Sequence, residues 1–359
     1  MKKIVTILGA RPQFVKAAVL SRIISKHKAM HEVIIHTGQH YDENMSAIFF
    51  DEMEIPKPKY NLNINGLSHA QMTGQMLEKI EEVLLIEKPK LVVVYGDTNS
   101  TIAGALVAKK MNITVVHIEA GLRSFDMKMP EEVNRILTDR ISDLLLCPTD
   151  TAIKNLKNEG FDNLPSKVVK CGDIMKDAVE FYGKNSAEKS TIISKLNLSK
   201  NEFVLATIHR EENTDLIENL TAIFSGLEEI NKYKQVILPI HPRTKAVLEK
   251  NKLKYNVTFI DPVGYFDMLE LLKNCNLVIT DSGGLQKEAF FNRKHCIVAR
   301  NSTEWVELVN NGLAKIVGSS SKEIIKAFKD FQNSTANFEI DLYGNQVGEK
   351  IHSEILKLL

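Results

Sequence analysis

The chain has only four cysteines, one tryptophan and no apolar run long enough to span a bilayer. Cys147, Cys171, Cys275 and Cys296 include no CxxC pair, which argues against a zinc site or a disulfide framework. Buried free thiols in a reducing compartment are the expectation. Neither sign of charge is in excess: 46 Lys and Arg against 45 Asp and Glu leave a net +1. Bulk charge therefore directs the chain neither to nucleic acid nor to a membrane surface. No GxGxxG follows an apolar run, no GxxxxGK[ST] occurs, and HExxH is absent. These absences disfavour a dinucleotide site, a P-loop and a metal centre, so no cofactor and no metal are expected. The opening Met1–Gly9 reaches Arg11 after too short an apolar run for a signal peptide. It reads as a first strand, and a cytoplasmic protein follows.

At 359 residues, 44% apolar and 25% charged, the chain suits a globular protein of two domains. Short β-branched runs alternate with amphipathic stretches. In the first half the runs are 4–8, 33–36, 91–95, 114–118, 144–147 and 168–171; in the second they are 203–208, 235–240, 257–260, 277–280, 296–299 and 314–317. Continuous apolar strands separated by helices predict parallel sheets covered on both faces. The expected division is an N-terminal Rossmann-like domain over 1–172, a mostly helical connector over 173–200, a second Rossmann-like domain over 201–345 and a terminal helix over 346–359.

Ligands bind beyond the carboxyl ends of strands in such sheets, and the unusual polar residues of this chain sit there. Asp281-Ser282-Gly283-Gly284 follows a strand and opens a helix. Free N–H groups at that helix start, with no Cβ on Gly283 or Gly284, suit a phosphate. Glu288, one turn on, is placed to accept from sugar hydroxyls. An ordinary turn with a helix cap remains the alternative. Arg11, Arg210 and Arg243 supply positive charge at other strand ends, while Asp97, Glu119, Glu131 and His209 supply acid and base groups. Each has a structural alternative. Asp97 caps the helix starting at Thr98; Glu131 is a first-turn helix charge; Arg243 is a surface ion-pair partner; His40 and His117 are satisfied structural histidines. The combination is harder to explain structurally than any one member.

GARPQFVKA (9–17), TGQHYDENM (37–45), YGDTNS (95–100), HIEAGLRSFDMKMPEEVNR (117–135), IHREEN (208–213), HPRT (241–244), DPVGY (261–265) and TDSGGLQKEA (280–289) together resemble the non-hydrolysing UDP-N-acetylglucosamine 2-epimerases. The resemblance runs from the first strand to about Gly312. It implies a glycosyltransferase-B-like α/β fold, with two Rossmann-like domains facing across a cleft and the UDP held mainly by the second. It implies inversion at carbon 2 of a UDP-2-acetamido sugar by elimination and re-addition of UDP, without a cofactor, in a homodimer. Arg11, His209, Arg210, Ser282, Gly283, Gly284 and Glu288 would bind UDP. Asp97, Glu119 and Glu131 would move protons, with His209, Lys16 and Arg135 completing the catalytic set. Gln39 and His40 match a segment that binds a second UDP-sugar as activator in some members. Thr303-Glu304-Trp305-Val306-Glu307 replaces an Arg-Pro pair found in many members. That form resembles the branch acting on UDP-2,3-diacetamido-2,3-dideoxyglucuronate, with Trp305 either a core aromatic or a substrate contact. A glycosyltransferase of the same fold, a hydrolysing epimerase and a non-catalytic sugar-nucleotide sensor are the competing readings.

Overall fold

The computed structural model describes residues 1–39, 53 and 55–359; the activator-segment residue His40 lies outside them. The β-branched runs form strands, as their two-sided burial requires. Among the described residues they build two parallel sheets. The first contains β1 (Lys2–Leu8), β2 (Met30–His36), β3 (Tyr60–Asn61), β4 (Leu91–Tyr95), β5 (Thr114–Ile118), β6 (Leu144–Cys147) and β7 (Lys167–Lys170), in the order β3-β2-β1-β4-β5-β6-β7. The second contains β8 (Phe203–Thr207), β9 (Gln235–Pro239), β10 (Thr258–Ile260), β11 (Val278–Thr280), β12 (Cys296–Val298) and β13 (Ala314–Ile316), in the order β10-β9-β8-β11-β12-β13. The two-residue β3 had no sequence signal, being too short to show alternation.

Both sheets reverse direction of winding once, between β1 and β4 in the first and between β8 and β11 in the second. The loops leaving those two strand pairs part in opposite directions and open a crevice at the carboxyl edge of each sheet. The residues after β1, β4, β8 and β11 are therefore the ones the topology offers to a ligand.

Packing divides the chain into two compact units, Met1–Ala178 with Asp341–Leu359, and Val179–Ile340. Residues 173–200, read as a connector, hold helices Ile174–Gly183, Ser186–Lys189 and Ile192–Lys195, and the unit boundary falls inside the first of these. The terminal helix Val347–Leu356 belongs to the first unit. Its apolar stripe of Val347, Ile351 and Ile355 is fully buried, and Gly348 N donates to Asp177 Oδ2 at 2.8 Å.

Each sheet has its own core. Val5, Ile7, Val92 and Val94 pack against Met76, Ile80 and Ala103 in the first unit. Val204, Ala206, Ile279 and Ile297 pack against Phe224, Leu227 and Ile324 in the second. Each such Val, Leu, Ile or Phe contributes about 1.5–3 kcal/mol by leaving water. All four cysteines are free and buried, as the sequence led us to expect. Burial pushes the Cys171 and Cys275 thiols up to about 12, which makes them poor nucleophiles.

Candidate active site

In the first unit Gln13 ties the two switch-point loops together. It stands at the third position of helix Arg11–His27, where a side chain can fold back on the helix start. Its Oε1 accepts from the N–H groups of Gly9 (2.7 Å) and Ala10 (3.0 Å). Its Nε2 donates to the Tyr95 carbonyl (2.7 Å) and to the hydroxyls of Thr98 and Thr101 (3.0 Å each). The loop after β1 is thus fixed to the loop after β4 by one buried amide. Lys16, on the helix after β1, then lies against the loop after β4, its Nζ 3.8 Å from where a Cβ on Gly96 would stand.

Lys16 forms an ion pair with Glu119, which follows β5, and both side chains are about nine-tenths buried. Glu119 has φ +72°, a left-handed backbone that a non-glycine residue adopts only when its surroundings enforce it. The enforcement comes from β6, whose Leu146 carbonyl accepts from both Glu119 N (3.0 Å) and Ala120 N (3.1 Å). Gly96 also has positive φ, at +61°, and a Cβ there would lie 3.2 Å from Glu119 Oε2. Only glycine gives both the turn and the room for the carboxylate.

Asp97 does not cap the following helix. Thr98 does, its hydroxyl accepting from Thr101 N at 3.3 Å. The Asp97 carboxylate instead pairs with Arg135, whose other nitrogen donates to Glu132 at 2.8 Å. The adjacent acids Glu131 and Glu132 divide in role. Glu132 is buried and accepts from Ser124 N, Ser124 Oγ and Phe125 N at 2.9 Å each, shaping the 122–129 loop. Glu131 is only partly buried. His117 is a satisfied structural histidine, its ring nitrogens 2.7 Å from Asp139 Oδ1 and from the Gly96 carbonyl. Asp139 also accepts from Gly121 N and from Arg123, which is forked onto Glu159. Burial works against the Arg123 charge, but Glu159 and Asp139 outweigh it and hold the guanidinium above its usual range. Gln39 Oε1 accepts from Ser100 N and Oγ at 3.1 and 2.7 Å, so that amide is engaged with the helix after β4.

In the second unit the hub is Asp281, fully buried after β11. It accepts from His209 N (2.9 Å), Arg210 N (2.9 Å) and Asn213 Nδ2 (3.0 Å), and its Oδ1 lies 3.3 Å from His209 Nδ1. The acid of the Asp-Ser-Gly-Gly turn thus folds the loop after β8 and aims His209. Ser282 is the N-cap of helix Gly283–Phe291, but its hydroxyl makes no capping bond to that helix. A Cβ on Gly284 would meet nothing within 4 Å, whereas one on Gly283 would lie 3.5 Å from Glu304 Oε2, so of the two glycines the second is the open one. Glu288 stands on the same helix and is partly buried. The His241 ring centre lies 5.4 Å from that of His209, the planes tilted by 32°, and its Nδ1 accepts from Arg243 N. Burial, with His209 and Arg243 close by, lowers its pKa. Arg243 takes the surface alternative, pairing with Glu211 (2.6 Å) and Asp215 (3.4 Å). Trp305 is a core aromatic, 3% exposed, with Lys287 Nζ 4.1 Å from its ring centre.

A family model for UDP-N-acetylglucosamine 2-epimerase matches residues 22–356. The chain belongs to that family. It is 52% identical over 359 residues to the UDP-2,3-diacetamido-2,3-dideoxy-D-glucuronate 2-epimerase of Pseudomonas aeruginosa, covering 99% of this chain and 100% of that one. It is 44% identical to the UDP-N-acetylglucosamine 2-epimerase of Methanocaldococcus jannaschii, over 97% of each chain. Among solved structures, the M. jannaschii UDP-GlcNAc 2-epimerase in complex with UDP-GlcNAc and UDP superposes with TM-score 0.92 at 43% identity, over 99% of this chain and 100% of that one. The Neisseria meningitidis UDP-GlcNAc 2-epimerase bound to UDP-GlcNAc gives 0.89 at 30% identity, over 99% and 100%. The expected glycosyltransferase-B-like fold class and membership of this isomerase family are borne out. Within the family frame, Glu132 and Asp139 were not singled out from the sequence, and Gln13 and Asp281 were visible there only as members of strand-end segments, without a role of their own. Gln13, Asp139 and Asp281 reach residues far along the chain, although Gln13 also carried a local signal in its place three residues past the helix cap; Glu132 contacts Ser124, Phe125 and Arg135, all within eight positions.

Proposed function

We propose that this epimerase-family chain inverts carbon 2 of UDP-2,3-diacetamido-2,3-dideoxyglucuronate, with UDP-N-acetylglucosamine as the second candidate. The reading rests on the end-to-end 52% identity to the P. aeruginosa enzyme of that name, and Thr303–Glu307 agrees with it.

A base removes the carbon 2 proton, the electron pair forms a C1–C2 double bond, and the C1–O bond breaks to release UDP. Return of UDP to C1, with a proton delivered to the other face of C2, completes inversion. Carbon 2 is not acidic, so the step needs a positioned base and stabilisation of the leaving diphosphate. Ser282 and the Gly283 and Gly284 N–H groups, with Arg11, His209 and Arg210, suit the diphosphate; Glu288 suits the ribose. Glu119 beside Lys16, Asp97 beside Arg135, and the partly buried Glu131 are the proton carriers. We further place the protein in the cytoplasm as a homodimer, on the strength of the family resemblance.

Incubation with each UDP-sugar in deuterated water, with no acceptor present, tests the proposal. Deuterium at carbon 2 together with the manno epimer is the expected result. Absence of both with both sugars rejects an epimerase. Free UDP with free sugar indicates hydrolysis, and tight UDP binding without exchange indicates a sensor.

A further inference from the structure

One cluster of metal-ligating side chains lies away from the sheet edges. His27 is in the last turn of helix Arg11–His27, and Glu349 and His352 are on helix Val347–Leu356. One ligand atom from each of the three lies within 4.8 Å of the others. His27 Nε2 is 3.0 Å from Glu349 Oε2, and the two imidazoles stack with centres 4.8 Å apart. Glu349 and His352 are three residues apart, so they share one helix face. The two helices are held close by Gly348, where a Cβ would come within 2.5 Å of Ile23 Cδ1 and 2.8 Å of Val19 Cγ1.

A second observation concerns His352 alone. The residue is 4% exposed, and its Nε2 is buried with no hydrogen-bond partner. An unpaired buried polar atom is destabilising, and nothing in the proposed chemistry uses it.

We propose that His27, Glu349 and His352 form a binding site for a divalent transition metal ion of the zinc class, clipping the terminal helix to the first helix. Two imidazoles and one carboxylate are a donor set that zinc accepts, and three protein ligands leave a fourth position for water. With bonds of about 2.0–2.1 Å, tetrahedral donors stand about 3.3 Å apart. The present spread of 4.8 Å closes by side-chain rotation, because His27 and Glu349 are 41% and 43% exposed. Bringing the donors together joins the two ends of the first unit, which are 322 residues apart in sequence.

The test uses the full-length protein, stripped with a chelator and titrated with Zn²⁺ and Co²⁺ by calorimetry and visible absorption. The expected result is one saturable site per chain, tetrahedral cobalt bands, and a melting temperature raised by about 2–4 °C or more at saturation. His27→Asn and Glu349→Gln, both at exposed positions, lose the site by at least about tenfold in affinity. His31→Asn, an exposed histidine outside the cluster, retains it. Absence of saturable binding, or binding that survives both His27→Asn and Glu349→Gln, overturns the proposal; the second outcome indicates adventitious surface binding.

Discussion

Lys16 and Glu119 form a nearly buried ion pair at the carboxyl edge of the first sheet, and Gly96 leaves the space that it occupies. The pair joins the helix after β1 to the end of β5, across the strand where the winding reverses. Losing either partner strands the other charge, which costs about 3–5 kcal/mol for a fully buried pair. If this carboxylate moves a proton, Lys16→Met and Glu119→Gln each lower kcat by about 100-fold or more. UDP affinity by calorimetry then stays close to the parent value. Turnover near that of the parent removes the pair from the catalytic set.

Gly96→Ala probes the same spot with a single methyl. The added Cβ meets Glu119 Oε2 at 3.2 Å on a backbone of φ +61°. The left-handed strain alone costs about 1 kcal/mol, or roughly 2–4 °C of melting temperature for a unit the size of the first. A fall in kcat larger than that small stability loss explains is the expected signature of a displaced carboxylate.

Gln13→Leu keeps the volume of the side chain and removes its five hydrogen bonds to Gly9, Ala10, Tyr95, Thr98 and Thr101. Unsatisfied buried groups cost about 1–3 kcal/mol each, so a loss of about 3 kcal/mol or more is expected by urea denaturation. A loss under about 1 kcal/mol means that the two loops hold each other without the amide.

Asp281→Asn places an amide N–H against the N–H groups of His209 and Arg210. The loop after β8 then loses its anchor, and UDP binding weakens by about tenfold or more, as for a lost positioning contact. Asp97→Asn, on the other unit, leaves UDP affinity unchanged while turnover falls. If both variants bind UDP like the parent, Asp281 has no part in shaping the nucleotide site.

Stability falls on acidification. Burial lowers the pKa of His36 and of His295 below the ordinary 6.5. The unfolded chain therefore takes up more protons than the folded one as the pH drops past 6.5. The stability that these neutral rings contribute is present above about 6.5 and is lost as pH falls through their lower folded values. Thermal melts should drop as the pH falls below about 6.5, and less steeply in His36→Asn. A flat profile in the parent contradicts this account.

Much of the architecture was written locally. A β-branched run carries its own strand preference, and period alone separated strands from helices along both halves of the chain. The bounds of β5 and β6 agree to the residue with the sequence reading. Which polar residues follow a strand is equally a local fact, so Asp97, Glu119, His209 and Asp281 were visible as strand-end residues. Their partners were not. Asp97 beside a helix start reads as a cap, and Thr98 takes that place because its shorter hydroxyl reaches Thr101 N, which frees the carboxylate for Arg135. Glu131 and Glu132 are indistinguishable on paper; the rotation of their helix buries the second and leaves the first accessible. Residues 341–359 return to the first unit because the apolar stripe of their helix finds its complement there. Sequence by itself determined the elements and the chemistry at their ends, since both depend on neighbours a few residues away. Only the tertiary structure decided which charge meets which, because those pairings join residues up to a hundred or more positions apart that share no local signal.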